Sequence, residues 1–159
     1  MYKISDYKIF LDKIFESLSE KDIDITSMEL DHLAYRTQTK EEFQEARKEF
    51  SKIGEIISEN LVRGRAVPVY KLNEPLEYKG RTISYLELMA PAKGDQFEFG
   101  LEHVEFVTPK DLKEIMKKYP GLDFIDRSEE KDPNIILKLG DNLAVKFHNK
   151  SLLDTVSQI

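Results

Sequence analysis

Apolar residues recur every three or four positions near the start of the chain: Tyr7, Phe10, Leu11, Ile14, Phe15 and Leu18, with Lys, Asp and Glu between them. That period predicts an amphipathic helix with one stripe facing the rest of the domain. Ser5 is placed to cap it, and Asp22 to Met28 reads as a connector. From residue 31 the period drops to two, so residues 31–37 predict a strand. Thr39 and Glu42 then form a capping box at the head of a second helix. Phe43, Ala46, Phe50 and Ile53 supply its buried face, and Gly54 stops it. Three strands follow at 55–62, 66–72 and 81–88. Gly64 marks the first hairpin, and Asn73-Glu74-Pro75 and Lys79-Gly80 bracket the next turn. Pro91 to Gly94 reads as a link.

The same order of elements then recurs. Residues 102–107 form a strand, and a helix is capped by Thr108 with Pro109 at its first position and Asp111 at its third. Leu112, Ile115, Met116 and Tyr119 face inward, and Pro120-Gly121 ends the helix. Strands follow at 122–127, 134–139 and 143–148, with Gly140-Asp141-Asn142 as the last turn and Ser151 capping a short final helix. The chain is therefore expected to be one α+β domain over residues 1–159. It divides into an N-terminal helical extension (1–28), two βαβββ modules (29–92 and 93–150) that together form a cup-shaped mixed sheet, and a C-terminal helix (151–159).

The two entry strands are copies. Asp31-His32-Leu33-Ala34-Tyr35-Arg36-Thr37 and Glu102-His103-Val104-Glu105-Phe106-Val107-Thr108 share the pattern acid, His, aliphatic, any, aromatic, any, Thr. Alternate residues of a strand share a face. Leu33 and Tyr35, and Val104 and Phe106, must lie under the helices, which turns His32, Ala34 and Arg36, and His103 and Glu105, to the other side. The last strand of each module follows the same parity. Tyr85 and Glu87 in the first, and Ala144, Lys146 and His148 in the second, point away from the helices. If that face curves inward, His32, Glu87, His103 and His148 converge in the company of Arg36, Glu105 and Lys146. All three histidines of the chain are used this way. Two or three imidazoles with a carboxylate suit a divalent ion such as zinc, iron, manganese, nickel or cobalt, and with open positions they suit catalysis. Arg36 and Glu105 can equally be read as an ion pair inside the cup.

Composition narrows the chemistry. There is no cysteine, so disulfides, thiolate-bound zinc and iron–sulfur clusters are excluded. A net charge of −6 without a basic face gives no reason to expect nucleic-acid binding. No apolar run reaches the roughly 18 residues of a membrane span, and the first twelve residues do not read as a signal peptide, so a cytoplasmic location is the expectation. A monomer can close the cup alone, and a homodimer can form through the sheet edges.

Several short motifs in register carry a resemblance. They are Asp31-His32-Leu33-Ala34-Tyr35-Arg36, Ser58-Glu59-Asn60 with Gly64-Arg65, Lys71-Leu72-Asn73-Glu74-Pro75, Leu86-Glu87-Leu88 with Pro91, Glu102-His103-Val104-Glu105 and Lys146-Phe147-His148. On these the chain resembles the bacterial YecM family, within the vicinal oxygen chelate superfamily of glyoxalase I, extradiol dioxygenases and bleomycin-resistance proteins. The resemblance implies a divalent metal and a small substrate that chelates it through two neighbouring oxygens, in an isomerase, lyase or dioxygenase. It matches His32, Glu87 and His103 to three of the four ligand places. The fourth is commonly Glu, and here the last strand offers His148 or Lys146. On this reading Glu105 is the candidate base, while Arg36 and Lys146 balance substrate charge. The alternative is a binding protein that uses the same cup without catalysis.

Overall fold

The computed structural model describes residues 2–93, 99–140 and 142–156. Gly94 of the expected link, Asp141 of the last turn and residues 157–159 of the final helix lie outside the described residues. A 3-10 turn, Ile4–Asp6, leads into α1 (Tyr7–Glu20), whose stripe buries Phe10, Leu11, Ile14 and Leu18. The turn moves the helix start forward, so Asp6 rather than Ser5 stands at its N-cap. β1 (Glu29–Arg36) and α2 (Lys40–Ile53) follow. The capping box forms as expected: Glu42 N–H donates to Thr39 Oγ1 at 3.1 Å, and Thr39 N–H donates to Glu42 Oε2 at 3.3 Å. Gly54 ends α2 for a reason other than a left-handed turn. Its backbone is extended, and a Cβ there would sit 2.5 Å from the Lys71 carbonyl oxygen, so only glycine lets β2 (Gly54–Val62) approach β3 (Arg65–Tyr78).

The expected turn at Asn73-Glu74-Pro75 is absorbed into β3. A slip in register between Lys71 and Leu76 takes up these residues where β3 pairs with β4 (Arg81–Met89). Pro75 has no N–H to give a ladder, and such irregularities are where a sheet tolerates proline. In the second half, β5 (Gly100–Val107) precedes α3 (Leu112–Lys118), β6 (Phe124–Arg127), β7 (Asn134–Gly140), β8 (Leu143–His148) and α4 (Leu152–Val156). α3 begins later than Thr108 and Pro109 suggest. Asp111 caps it, its Oδ1 accepting N–H bonds from Lys113 at 2.9 Å and Glu114 at 3.3 Å. Thr108 is left to close a local turn with the Lys110 N–H at 3.2 Å.

All eight strands form one mixed sheet in the order β2-β3-β4-β1-β5-β8-β7-β6. Read outward from the centre, the two halves repeat the same sequence of strands. β1 pairs parallel with β4, β5 pairs parallel with β8, and the halves join through antiparallel β1 and β5. Register aligns Leu86, Leu33, Val104 and Val145 as one row across the four central strands, and all four are fully buried. Each contributes about 1.5–3 kcal/mol relative to exposure. They belong to the main core together with side chains from α1, α2 and α3. Helix burial thus claims one face of the central strands and commits the polar residues to the other.

Candidate metal centre

On that other face, two rows cross the centre of the sheet. One runs Tyr85, His32, Glu105, Lys146, and the next runs Glu87, Ala34, His103, Ala144. The imidazoles therefore sit diagonally across the β1–β5 junction. One carboxylate flanks His32 on β5, and another lies diagonally from it on β4. His32 is 1% exposed, His103 8% and Glu105 7%. Ligand atoms of His32, His103 and Glu105 all lie within 4.8 Å of one another.

Each histidine is oriented by the acid that precedes it. His32 Nδ1 donates to Asp31 Oδ2 at 2.7 Å, and Asp31 is anchored in turn by the Leu152 N–H of α4 at 2.9 Å. Neighbouring residues of a regular strand face opposite ways. Asp31 reaches its neighbour's ring because a bulge between Leu30 and His32 breaks the alternation. His103 Nδ1 lies 3.3 Å from Glu102 Oε2, and Glu102 Oε1 accepts from Arg36 Nη2 at 2.9 Å. Because a carboxylate only accepts, both Nδ1 atoms carry a proton, which makes Nε2 the nitrogen each ring would offer a cation, on His32 in exchange for its second proton. This acid–histidine arrangement fixes the tautomer and ring direction in metal sites.

The two Nε2 atoms are buried and make no well-aligned hydrogen bond to protein. That of His32 points between Glu87 Oε1, in close contact, and Glu105 Oε2 at 3.0 Å. A buried polar atom without a partner costs about 1–3 kcal/mol, and the Nε2 of His103, with no carboxylate against it, is such an atom. Electrostatics agree. Burial by itself would lower the His32 pKa, but Glu87 and Glu105 outweigh it and hold it well above the ordinary imidazole value. Burial would likewise raise the Glu87 and Glu105 carboxyls. His32, with Lys146, reverses this and holds both below the usual carboxylate range. Glu102 is lowered to about 2 by His103 and Arg36 against the cost of burial. The centre is a charged knot in which a proton on His32 stands where a cation would be favoured.

The other sequence-derived residues fall into place around it. Arg36 faces Glu102 rather than Glu105, so it braces the group that orients His103. His148 lies further out along β8. Its Nδ1 accepts the Lys150 N–H at 3.0 Å, and its Nε2 donates to Asp132 Oδ1 at 2.7 Å, so both ring nitrogens are engaged by the chain itself. Register makes Lys146, not His148, the second-half counterpart of Glu87. Ala34 pairs with Glu87 and Glu105 with Lys146, each two residues along from its histidine. The repeated threonines agree, because Thr37 N–H bonds the Met89 carbonyl and Thr108 N–H bonds that of His148. Sequence reading misses the roles of Asp31 and Glu102, although the acid–His pair is visible in both copies. A separate cavity of about 550 Å³ lies under α2 on the opposite face, lined by Tyr35, Ala46 and Phe50 among others, away from the imidazoles. No helix of the described residues is long and apolar enough to cross a membrane.

Comparison with known proteins gives a consistent result. Residues 2–139 match the family model described as YecM protein, which ends short of Lys146 and His148. The chain is 27% identical over 169 residues to protein YecM of Escherichia coli (strain K12), spanning 96% of this chain and 90% of that one. A structural-genomics protein designated EC4020 matches with TM-score 0.80 and 25% identity over 97% of this chain and 89% of its own. A variant of Streptomyces coelicolor methylmalonyl-CoA epimerase, in complex with 2-nitronate-propionyl-CoA, matches with TM-score 0.51 and 15% identity. It covers 75% of this chain and 94% of its own, a likeness of fold alone.

Proposed function

Since the chain belongs to the YecM family and has the vicinal oxygen chelate fold, we propose that it is a divalent-metal-dependent enzyme of the isomerase or oxygenase type, acting on a small oxygen-chelating substrate. The observation that carries this is the buried cluster of His32, His103 and Glu105, whose ligand atoms lie within 4.8 Å of one another, with the Nε2 of His103 left without a hydrogen-bond partner. The donor set is nitrogen and oxygen only, which fits zinc, iron, manganese, nickel or cobalt.

In this reading His32, His103, Glu87 and Glu105 hold the ion. Glu105, read from sequence as a base, is better suited to ligation. Its ligand atom lies within the imidazole cluster, and its lowered pKa makes it a ready anion but a weak base. It supplies from β5 the carboxylate that β8 lacks at Lys146. Asp31 and Glu102 keep the imidazoles in the ligating tautomer, and Arg36 holds Glu102 in place. The bound ion would act as a Lewis acid on substrate oxygens. Burial of the histidines excludes bulk water and strengthens every charge interaction at the centre.

The experiment is metal content by plasma mass spectrometry on tag-free protein loaded at about pH 7.5 and again at about pH 8.5, because His32 holds its proton above the ordinary imidazole range. His103→Ala and Glu105→Gln are measured beside the wild type. Near-stoichiometric metal that is lost in His103→Ala and weakened in Glu105→Gln supports the proposal. A wild-type protein that takes up no metal under these conditions overturns it.

A further inference from the structure

The two halves of the centre differ at one place. Glu87 on β4 and Lys146 on β8 occupy equivalent positions, yet one is a carboxylate and the other an ammonium. Lys146 ends the row Tyr85, His32, Glu105, Lys146, and it is only partly buried, so it stands beside the centre within reach of solvent. Its charge acts on both Glu87 and Glu105. Even so, Lys146 forms no ion pair within 4 Å among the described residues, although Glu105 stands opposite it in register. A partly buried ammonium on the carboxylate-bearing face, with no ion pair closer than 4 Å, is placed to take an anion from solution. A dication between the carboxylates sharpens the demand. Glu87 and Glu105 would then be committed to the ion, and Lys146 would face a cation with no anion assigned to it.

The geometry points to Lys146 as the anion-recognition residue of this centre, and to a small carboxylate bearing an oxygen on its second carbon, a 2-hydroxy or 2-oxo acid, as the substrate class. This rests on the metal-centre reading above. One carboxylate oxygen and the neighbouring hydroxyl or carbonyl oxygen of such an acid form the vicinal pair. The remaining carboxylate oxygen carries charge toward Lys146. A neutral diol or dione would satisfy the ion but leave the ammonium uncompensated, so the site discriminates by charge as well as by chelation. Lysine serves here as a point charge on a flexible stem, which requires no bidentate geometry from the ligand.

The test uses the full chain loaded with cobalt(II), whose visible absorption reports the ligands around the ion without turnover. Glycolate and the neutral chelator ethane-1,2-diol are titrated into wild type, Lys146→Met and Lys146→Arg, with cobalt content measured in each. Glycolate is expected to shift the wild-type spectrum saturably. Lys146→Met is expected to bind it about 10- to 100-fold more weakly at unchanged cobalt content, with Lys146→Arg restoring much of the loss. The diol should respond equally in all three. Glycolate affinity within twofold in wild type and Lys146→Met, or no glycolate response from cobalt-loaded wild type, overturns the assignment of Lys146 while leaving the metal centre standing. A wild type that takes up no cobalt overturns the metal-centre reading, and this inference with it.

Discussion

Asp31 offers the sharpest test of how the centre is built, because its carboxylate reaches the ion only through His32. It is 7% exposed and accepts two bonds, from His32 Nδ1 at 2.7 Å and from the Leu152 N–H at 2.9 Å. Asp31→Asn keeps an acceptor oxygen of the same reach but removes the charge. Charge-assisted bonds are roughly twice as strong as neutral ones, so the loss to His32 is about 1–1.5 kcal/mol, a weakening of metal binding of about tenfold. Asp31→Ala removes the acceptor of both bonds and leaves the buried His32 Nδ1–H and the partly buried Leu152 N–H unpaired. That costs about 3 kcal/mol and weakens the metal on the order of 100-fold, near the upper range for partners of metal-binding histidines. The assay is competition for the ion with a chromogenic chelator at about pH 7.5, with urea unfolding of the metal-free proteins as the control for folding. The graded order wild type, Asn, Ala is the signature. A dissociation constant for Asp31→Asn within twofold of wild type would refute the orienting role.

Further expectations concern the rest of the centre. Glu102 falls from 4.5 to about 2 in the folded protein. A lowered carboxylate pKa contributes stability that is present above the ordinary value and lost as pH falls through the folded one. The metal-free protein should therefore lose about 3 kcal/mol from this group between about pH 4.5 and 2, and urea titrations across that window should show Glu102→Gln losing correspondingly less. His32 acts with the opposite sign. Its raised pKa contributes stability that is complete below about pH 6.5 and is lost as pH rises through the folded value, while metal, which displaces that proton, binds more tightly as pH rises. Equal metal affinity from about pH 6 to 8 would contradict this. His148→Gln should keep metal content unchanged and lower stability by about 1 kcal/mol through loss of its partly buried contacts. Metal loss in that variant would return His148 to the ligand set.

Much of the centre is legible in the amino-acid sequence because alternation is a local property. The period of two places Leu33, Leu86, Val104 and Val145 under the helices, and burial bears this out. The same parity turns His32, Glu87, His103 and Lys146 to the common face. The capping box at Thr39 and Glu42 is equally readable, because both partners lie within one turn of chain. The signals at Thr108 and at Asn73–Pro75 mislead because each has a rival: a carboxylate three residues on, and a neighbouring strand able to absorb a slip.

Parity along each strand, carried by the chain locally, decides which residues share a face. Which of them share a row is a matter of strand pairing, because a slip of two residues along a strand preserves parity and changes every neighbour. Pairing of β5 with β8 puts Lys146 opposite Glu105 and moves His148 out to Asp132. The bulge in β1 lets Asp31 turn back to its own histidine, and the chain's C-terminal helix, 121 residues away in sequence, fixes it there. Charge and chelation depend on distances of a few ångströms between strands, and those distances exist only once the sheet is assembled.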